Sequence, residues 1–343
     1  MKQSKTTIHE IARRLDTSAA TVSRALNNHP RISKKMKERV ADMALQIGYK
    51  PNSMASALRN GKSKLIGIIV PYADRIFFSS VIRGIEEEVK KSGYNVIICQ
   101  SYEKINNEIE DVEALLSAQV AGMIVSMSRE TESVDHLLKV SSKNKPVVLF
   151  DRTKNNLEVS SVLIDDFQGA YQATSHLIKQ GYQRIAFFSG NRSVSIFEQR
   201  HLGYIQALKD HHLPIIEQLI VNVPSDVDQG RKATAELMAL KNPPDAIFST
   251  SDFSALGAIK WLKEKGYNVP KDVGVMGFGN DPFTEHLDPS MTTIDQKSKE
   301  MGIRTAQVFL EQIHGTMTAP MKIILQPELI IRESTGRTIE SKS

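Results

Sequence analysis

Cysteine is nearly absent from this chain. One residue, Cys99, occurs in 343 positions, so no internal disulfide can staple the fold. Its place in the apolar run Val96-Ile97-Ile98-Cys99 reads as a small buried hydrophobe, not a catalytic thiol. Long apolar runs are absent too. No stretch of about 18 consecutive apolar residues exists, which excludes a membrane-spanning helix. The opening MKQSKTTIHE has no apolar signal core, so the expectation is a protein that stays in the cytoplasm. The nine histidines show neither HxxxH nor HExxH spacing, which leaves a metal site unsupported. No phosphate loop or GxGxxG fingerprint is present. Gly277-Phe278-Gly279-Asn280 is only a glycine-containing turn, and Ser79-Ser80 and Ser189-Gly190 lack the context of a nucleophile elbow. The expectation is therefore a protein without cofactor or enzymatic activity.

What is present is a globular composition with an uneven charge. Charged residues at 24% and hydrophobic ones at 41% suit a folded soluble chain, and 343 residues suit two or three domains. The net charge of +5 hides a split. Residues 1–64 carry 14 Lys and Arg against 4 Asp and Glu, a net of +10, so the remaining 279 residues carry a net of −5. A basic segment on an acidic body is the electrostatic footprint of a nucleic-acid module.

The basic segment reads as helical. In KTTIHEIARRLDTSAATVSRAL, Thr7 and Glu10 have capping-box spacing. Ile8, Ile11, Ala12 and Leu15 follow at the spacing of one helical face. Asp16-Thr17-Ser18 breaks that face, and Ser18 caps a second helix over 19–26 that turns Val22, Ala25 and Leu26 inward. Its outward face carries Ala19, Ala20, Ser23 and Arg24. This is the layout of a helix-turn-helix, whose second helix lies in the major groove. Ser33 caps a third helix with Met36, Val40, Met43, Ala44 and Ile47 as its stripe and Gly48 at its C-terminal cap. The piece from Pro51 to Gly61, with Met54, Ala55 and Leu58 on one face, reads as a linker or as a hinge that is helical only when packed against a partner copy on DNA.

From Leu65 onward, apolar runs alternate with helical patterns. The runs fall at 65–70, 96–99, 122–125, 146–150, 161–164, 184–188, 219–221, 246–249 and 273–278, with helices at 81–91, 107–118, 168–180, 199–208, 231–240 and 256–265. Fully apolar strands alternating with helices imply parallel sheets covered on both faces. About ten strands suit two doubly wound lobes better than one wide sheet. The break is expected near 160–166, with a helix at 298–314 and strands at 323–325 and 329–331 crossing back between the lobes.

Thr7-Ile8, Ala12, Ser18, Thr21-Val22-Ser23-Arg24, Leu26-Asn27, Gly48-Tyr49, Pro51-Asn52 and Ala55 together resemble the N-terminal signature of the LacI/GalR (lactose repressor) family of bacterial transcriptional regulators. The match continues to Pro71 and more loosely through the whole chain. The resemblance implies an all-α helix-turn-helix headpiece over 1–50, a hinge helix or linker over 51–62, and an α/β, two-lobed, periplasmic-binding-protein-like domain over 63–343 for effector binding and dimerisation. Lobe 1 is expected to comprise about 63–162 plus 295–321, and lobe 2 about 163–294 plus 322–340.

The resemblance also implies site residues. Ala19, Ala20 and Arg24 look like base-reading positions, Arg24 suiting a guanine edge. Ser18, Thr21, Ser23 and Asn27 look like DNA backbone contacts. Leu58 resembles an apolar wedge in the minor groove, flanked by Ala55 and Arg59. In the body, polar and aromatic residues cluster just after the strand patterns: Phe77, Phe78, Asp151, Arg152, Arg200, Ser251, Asp252 and Asn280-Asp281-Pro282-Phe283. Such residues line a ligand cleft in open α/β sheets. By resemblance Phe77, Asp151, Arg200, Ser251 and Gln296 face the effector. The chain departs from the pattern at Gly279, where many members carry an acidic residue, which Asn280 or Asp281 would have to replace. It departs again at Ser225, where several carry an aromatic ring.

The reading is a cytoplasmic, nucleoid-associated regulator that binds a pseudo-palindromic operator as a homodimer. It acts as a repressor by resemblance, with an activator or a global regulator with a protein co-effector left open. Its effector is expected to be a sugar or derivative, which would place it in carbohydrate metabolism, and it would bind between the lobes. The end at Ser343 lacks a leucine-rich heptad tail, so the expectation is a dimer and not a tetramer. An exported solute-binding protein is the remote alternative. It would need an export signal and no basic headpiece.

Overall fold

The computed structural model describes residues 7–49, 63–154, 158–317 and 319–337. They divide into two compact units between Ser63 and Lys64.

Among the described residues the first unit holds three helices: α1 (Ile8–Arg14), α2 (Ala19–Leu26) and α3 (Lys34–Gln46). Ile11, Val22 and Val40 are fully buried at its centre, with Ala12, Ala25 and Ala44 beside them. The caps decide the helix starts. The Ser18 hydroxyl accepts from the Thr21 amide at 3.1 Å, and Ser33 accepts from Met36 at 3.3 Å. Gly48 closes α3 with a left-handed φ of 63°, which a glycine adopts without a steric penalty. The capping box expected at α1 does not form. Thr7 occupies the N-cap without a side-chain bond. Glu10 turns instead to Arg13 and Arg14, at 2.7 and 2.8 Å, because two guanidinium groups at i+3 and i+4 outbid one neutral amide for the carboxylate.

The second unit opens with β1 (Leu65–Val70), α4 (Ile76–Lys91), β2 (Asn95–Gln100), α5 (Ile105–Ser117), β3 (Met123–Val125), α6 (Asp135–Ser141), β4 (Val147–Phe150) and β5 (Ser160–Ile164). The chain then builds α7 (Asp166–Lys179), β6 (Ile185–Ser189), α8 (Ser195–Asp210), β7 (Ile220–Asn222), α9 (Val227–Met238), β8 (Ala246–Ser249), α10 (Asp252–Glu264) and β9 (Gly274–Met276). It closes with β10 (Thr293–Asp295), α11 (Ser298–His314), β11 (Lys322–Leu325) and β12 (Glu328–Ile330).

The lobe 1 sheet has the order β11-β5-β4-β3-β1-β2 and is parallel throughout. Alternate side chains feed two cores. Ile66, Ile68 and Val70 pack with α4 and α11, while Ile69, Val125 and Leu149 pack with Val112 and Leu115 of α5 and Leu137 and Val140 of α6. Lobe 2 repeats the plan with the parallel order β7-β6-β8-β9. Phe187 and Phe248 face α7 and α8, while Phe188 and Ile247 face the other side. Strands β10 and β12 form an antiparallel pair that lobe 2 carries through the bridge from Met276 to Thr292.

All nine apolar runs are strands. Helix α4 starts at Ile76, earlier than the sequence pattern suggested, because Phe78 extends its buried stripe. The short α6 and β10 have no distinct sequence signature. One boundary is corrected: Lys322–Leu325 pairs with β5 and completes the lobe 1 sheet, although 322–340 was expected in lobe 2. The reason is an edge. Ser161 to Ile164 would otherwise leave a row of unpaired amides and carbonyls. The chain thus crosses between lobes after β5, after β10 and after β11. Lys297 ties the last two crossings together by pairing with Asp295 at 3.7 Å and with Glu328.

Helices α4 and α11 meet backbone to backbone. A Cβ on Gly84 would stand 3.2 Å from the Gly302 Cα, and one on Gly302 would press on the Val81 carbonyl oxygen. Gly302→Ala should therefore force the helices apart and lower stability by about 1–3 kcal/mol. Urea unfolding of the full chain measures this, and an unchanged midpoint would refute the close approach.

Candidate DNA-reading face and ligand cleft

Helix α2 turns Val22 and Ala25 into the headpiece core, which leaves Ala20 and Arg24 exposed on the opposite side. Arg24 has no carboxylate within ion-pair distance among the described residues. Ala19, expected on the same reading face, is half-buried and packs against the headpiece core. Ser18 and Thr21 share a hydroxyl contact of 2.9 Å at the helix start. Ser23 is half-buried, and Asn27 folds back on the Ser23 carbonyl at 2.8 Å. Along α3, Lys34, Lys35 and Arg39 are exposed, while Lys37 bonds the Asn28 carbonyl at 3.1 Å. The face is cationic and carries small side chains, the combination that suits phosphates and a groove wall. Ala55, Leu58 and Arg59 lie outside the described residues.

In the second unit the carboxyl ends of β1, β4, β6, β7, β8 and β9 all open on one cavity of about 320 Å³ between the lobes. Lobe 1 contributes Phe77, Phe78, Asp151, Arg152, Glu103, Arg75 and Arg129, and lobe 2 contributes Arg200, Ser225, Ser251, Phe278, Asp281 and Gln296. Phe77, Asp151, Arg200, Ser251 and Gln296, the five residues expected to face the effector, are therefore brought together, whereas Asp252, Pro282 and Phe283 of the wider cluster do not line the cavity.

Arg200 organises the lobe 2 wall. Helix α8 carries it into the interior, where it is 3% exposed. Its Nε donates to Asp166 Oδ1 at 2.7 Å, Nη1 to the Thr250 carbonyl at 3.1 Å and Nη2 to Gln296 Oε1 at 3.0 Å. The guanidinium carbon lies 3.8 Å from the Phe278 ring centre. Burial lifts the Asp166 carboxyl to about 6, against the pull of Arg200. In lobe 1, Arg152 donates to both Glu103 oxygens at 2.8 and 3.1 Å and sits 3.4 Å from Asp151. Asp151 also accepts from Ser126 at 3.3 Å, and burial raises its pKa against the attraction of Arg152. Phe77 lies edge-on to Phe78 at 5.1 Å and serves both the wall and the core.

Ser251 caps α10 and meets Ser225 hydroxyl to hydroxyl at 2.5 Å. Across the cleft, Arg75 donates to the Ser225 carbonyl at 2.9 Å, which joins the lobes directly. No sequence pattern marked Arg75, because its partner lies 150 positions away.

Asn280 is the exception. It does not line the cavity. Its side chain accepts from Arg332 at 3.0 Å and donates to Asp295 at 3.3 Å. The left-handed φ of 55° at Asn280 turns it toward those partners and presents Asp281 to the cleft instead. Asp252 holds that turn, accepting from the Asp281 amide at 2.8 Å and from Thr293 at 2.6 Å. Desolvation pushes Asp252 up to about 7. Burial pushes the half-buried Cys99 thiol up to about 11, which disfavours its thiolate.

The raised Asp252 predicts a pH dependence. Its folded pKa near 7 stands above the ordinary 3.8, so the folded state keeps a proton that the unfolded state releases. Stability from this group is therefore lost as pH rises through that window and regained on acidification. The melting temperature of wild type should climb from pH 8 to pH 5.5 more steeply than that of Asp252→Asn, and parallel curves would refute the assignment.

Comparison with known proteins agrees with this geometry. Residues 7–52 match the family model of bacterial regulatory proteins, lacI family, and residues 63–333 match that of periplasmic binding proteins and the sugar binding domain of the LacI family. The NTD biosynthesis operon regulator NtdR of Bacillus subtilis (strain 168) is 33% identical, over 96% of this chain and 99% of that protein. The HTH-type transcriptional repressor CytR of Escherichia coli (strain K12) is 32% identical, over 97% of each. A LacI family transcriptional regulator from Enterococcus faecium with bound ribose superposes with a TM-score of 0.71 at 28% identity, covering 79% of this chain and 98% of that one. The helical headpiece and the two-lobed domain with a cleft at its strand ends each fall within a matching family model, and the chain belongs to the lacI family of bacterial regulatory proteins.

Proposed function

We propose that this regulator is a repressor that binds a pseudo-palindromic operator as a homodimer and responds to a sugar or sugar derivative held between its lobes. The observation that carries the ligand half is the buried Arg200, whose five N–H donors are only partly used by Asp166, Thr250 and Gln296 in the wall of the cleft. The remaining donors, with Phe77, Asp151, Ser251 and Gln296 around the same space, suit a ligand that offers many hydroxyl oxygens and one flat apolar face. The ribose-bound relative supports that class.

On the DNA side, Ala20 and Arg24 read bases. Ser18, Thr21, Ser23 and Asn27 meet the backbone, and Leu58 with Ala55 and Arg59 serves the minor groove. Ala19 supports the helix more than it reads sequence. The domains are assigned as 1–50, 51–62 and 63–343, with residues 322–325 added to lobe 1. The protein works in the cytoplasm, on the nucleoid when bound.

A ligand shifts the lobes only if it binds one arrangement better than another. Arg75 on the Ser225 carbonyl is a contact that opening would break and closure would keep. The coupling between ligand and operator is then reciprocal and of the order of 1–3 kcal/mol.

Two measurements test the proposal. Arg24→Ala should weaken binding to an operator selected from random DNA by about 1–3 kcal/mol and relax its preference at one base pair. Unchanged affinity and preference would sink the recognition-helix assignment. Arg200→Ala should leave operator binding in place and abolish its response to ligand. A normal ligand response would remove the cleft from the mechanism.

A further inference from the structure

We infer that Asp281 is the carboxylate by which the lobe 2 wall accepts a ligand hydroxyl, in place of a side chain at Gly279, and that the ligand is an uncharged or anionic polyhydroxylated compound. The inference rests on the reading of the cleft as the ligand site and names a specificity-determining residue within it.

The cavity is lined by three carboxylates, those of Glu103, Asp151 and Asp281. Two are occupied. Both oxygens of Glu103 accept from Arg152, and Asp151 holds Ser126 and Arg152. The backbone of Asp281 is pinned: its amide donates to Asp252 at 2.8 Å, and its carbonyl accepts from the Thr284 amide at 2.9 Å and hydroxyl at 2.7 Å. Its carboxylate makes no hydrogen bond or ion pair with any described residue. A half-buried acceptor on a fixed backbone, facing a cavity and lacking a donor, is an arrangement the folded protein leaves incomplete. Burial alone lifts its pKa to about 6, which is the mark of a carboxylate without a compensating partner.

Gly279 explains why the acid sits at 281. A Cβ at Gly279 would stand 2.9 Å from Asp252 Oδ2 and 3.7 Å from Gln296 Nε2, on a φ of 150° that few side chains adopt. With Asp252 occupying that space as the brace of the turn, an acidic residue at 279 would meet steric conflict with its carboxyl group. Asn280 is committed to Arg332 and Asp295. Asp281 is then the one acceptor that this turn presents to the cleft.

The ligand's chemistry follows. An ionised carboxylate only accepts, so the ligand must bring a donor to it. Arg200 and the amide nitrogen of Gln296 only donate, so the ligand must bring acceptors to them. A hydroxyl does both, and neighbouring hydroxyls satisfy both walls at once. An ammonium would also donate, but four arginines, Arg75, Arg129, Arg152 and Arg200, line the same cavity against three carboxylates, which disfavours a cation.

The test uses the full chain. A thermal-shift panel of pentoses, hexoses, disaccharides, hexuronates and ribonucleosides, with polyamines as cationic controls, selects the strongest binder. Calorimetric titration with that compound then compares wild type, Asp281→Asn, Asp281→Ala, Asn280→Ala and Arg200→Ala. Both Asp281 variants should weaken binding about 10–100-fold, the range for a hydrogen bond to a charged acceptor. Neither should lower the melting temperature of the free protein, since the carboxylate has no partner to lose. The deficit should disappear with the deoxy analogue that lacks the contacting hydroxyl. Asn280→Ala should bind within a few-fold of wild type. Wild-type affinity in Asp281→Asn together with loss of binding in Arg200→Ala would overturn this inference and keep the cleft. Wild-type affinity in both would overturn the cleft reading itself. Stabilisation by polyamines alone, or by no member of the panel, would overturn the assigned ligand class.

Discussion

The lobe 2 wall depends on one buried cation. Removing the Arg200 guanidinium from water is expensive, and the structure compensates with a carboxylate, a backbone carbonyl, a side-chain amide and the face of Phe278. Those partners come from four separate places: the start of α7, the residue after β8, the residue after β10 and the second residue after β9. A single planar fork thereby sets the spacing of the elements whose ends form the cleft. Lysine could not do this, because a point charge on a flexible stem has no fixed fork.

The same cleft shows how acids are distributed by what surrounds them. Asp166, Asp151 and Glu103 each sit against an arginine and serve to position it. Asp252 has no arginine within ion-pair distance among the described residues and braces a turn through an amide and a hydroxyl. Asp281 has neither. Residues of identical chemistry therefore divide into structural acids and one acid left for a ligand. The headpiece works by the opposite economy. Its core is small, its helices start on serine caps, and its cations at Arg24, Lys34, Lys35 and Arg39 stay exposed, where charge costs little and reaches phosphate.

Much of this was legible in residue order, and the failures share a cause. Short apolar runs alternating with helical patterns read as strands of parallel sheets, so all nine emerged from pattern alone, including β2, β7 and β9 at the sheet edges. Ser18, Ser33 and Gly48 act within three or four residues of themselves, so their roles were readable too. Thr7 and Glu10 had the spacing of a capping box but not the outcome, because Arg13 and Arg14 compete for the same carboxylate. The edge strand Lys322–Leu325 was placed in the wrong lobe, since strand character says nothing about which sheet has an open edge. Ala19 looked outward on a helical wheel, but packing at the turn half-buried it. Asn280 was expected in the cleft, and a left-handed backbone turned it away.

The sequence by itself determined the division of labour: a basic helical headpiece with its own caps and core, and an acidic body of alternating strands and helices. It could do so because charge, periodicity and capping act over a few residues. Only the tertiary structure decided which residues meet. Arg200 reaches Gln296 across 96 positions, Arg75 reaches Ser225 across 150, and Asp252 reaches Thr293 across 41. Such pairings have no local signature. They exist because crossovers between the lobes bring the strand ends to a common edge, and that edge is where the ligand site had to form.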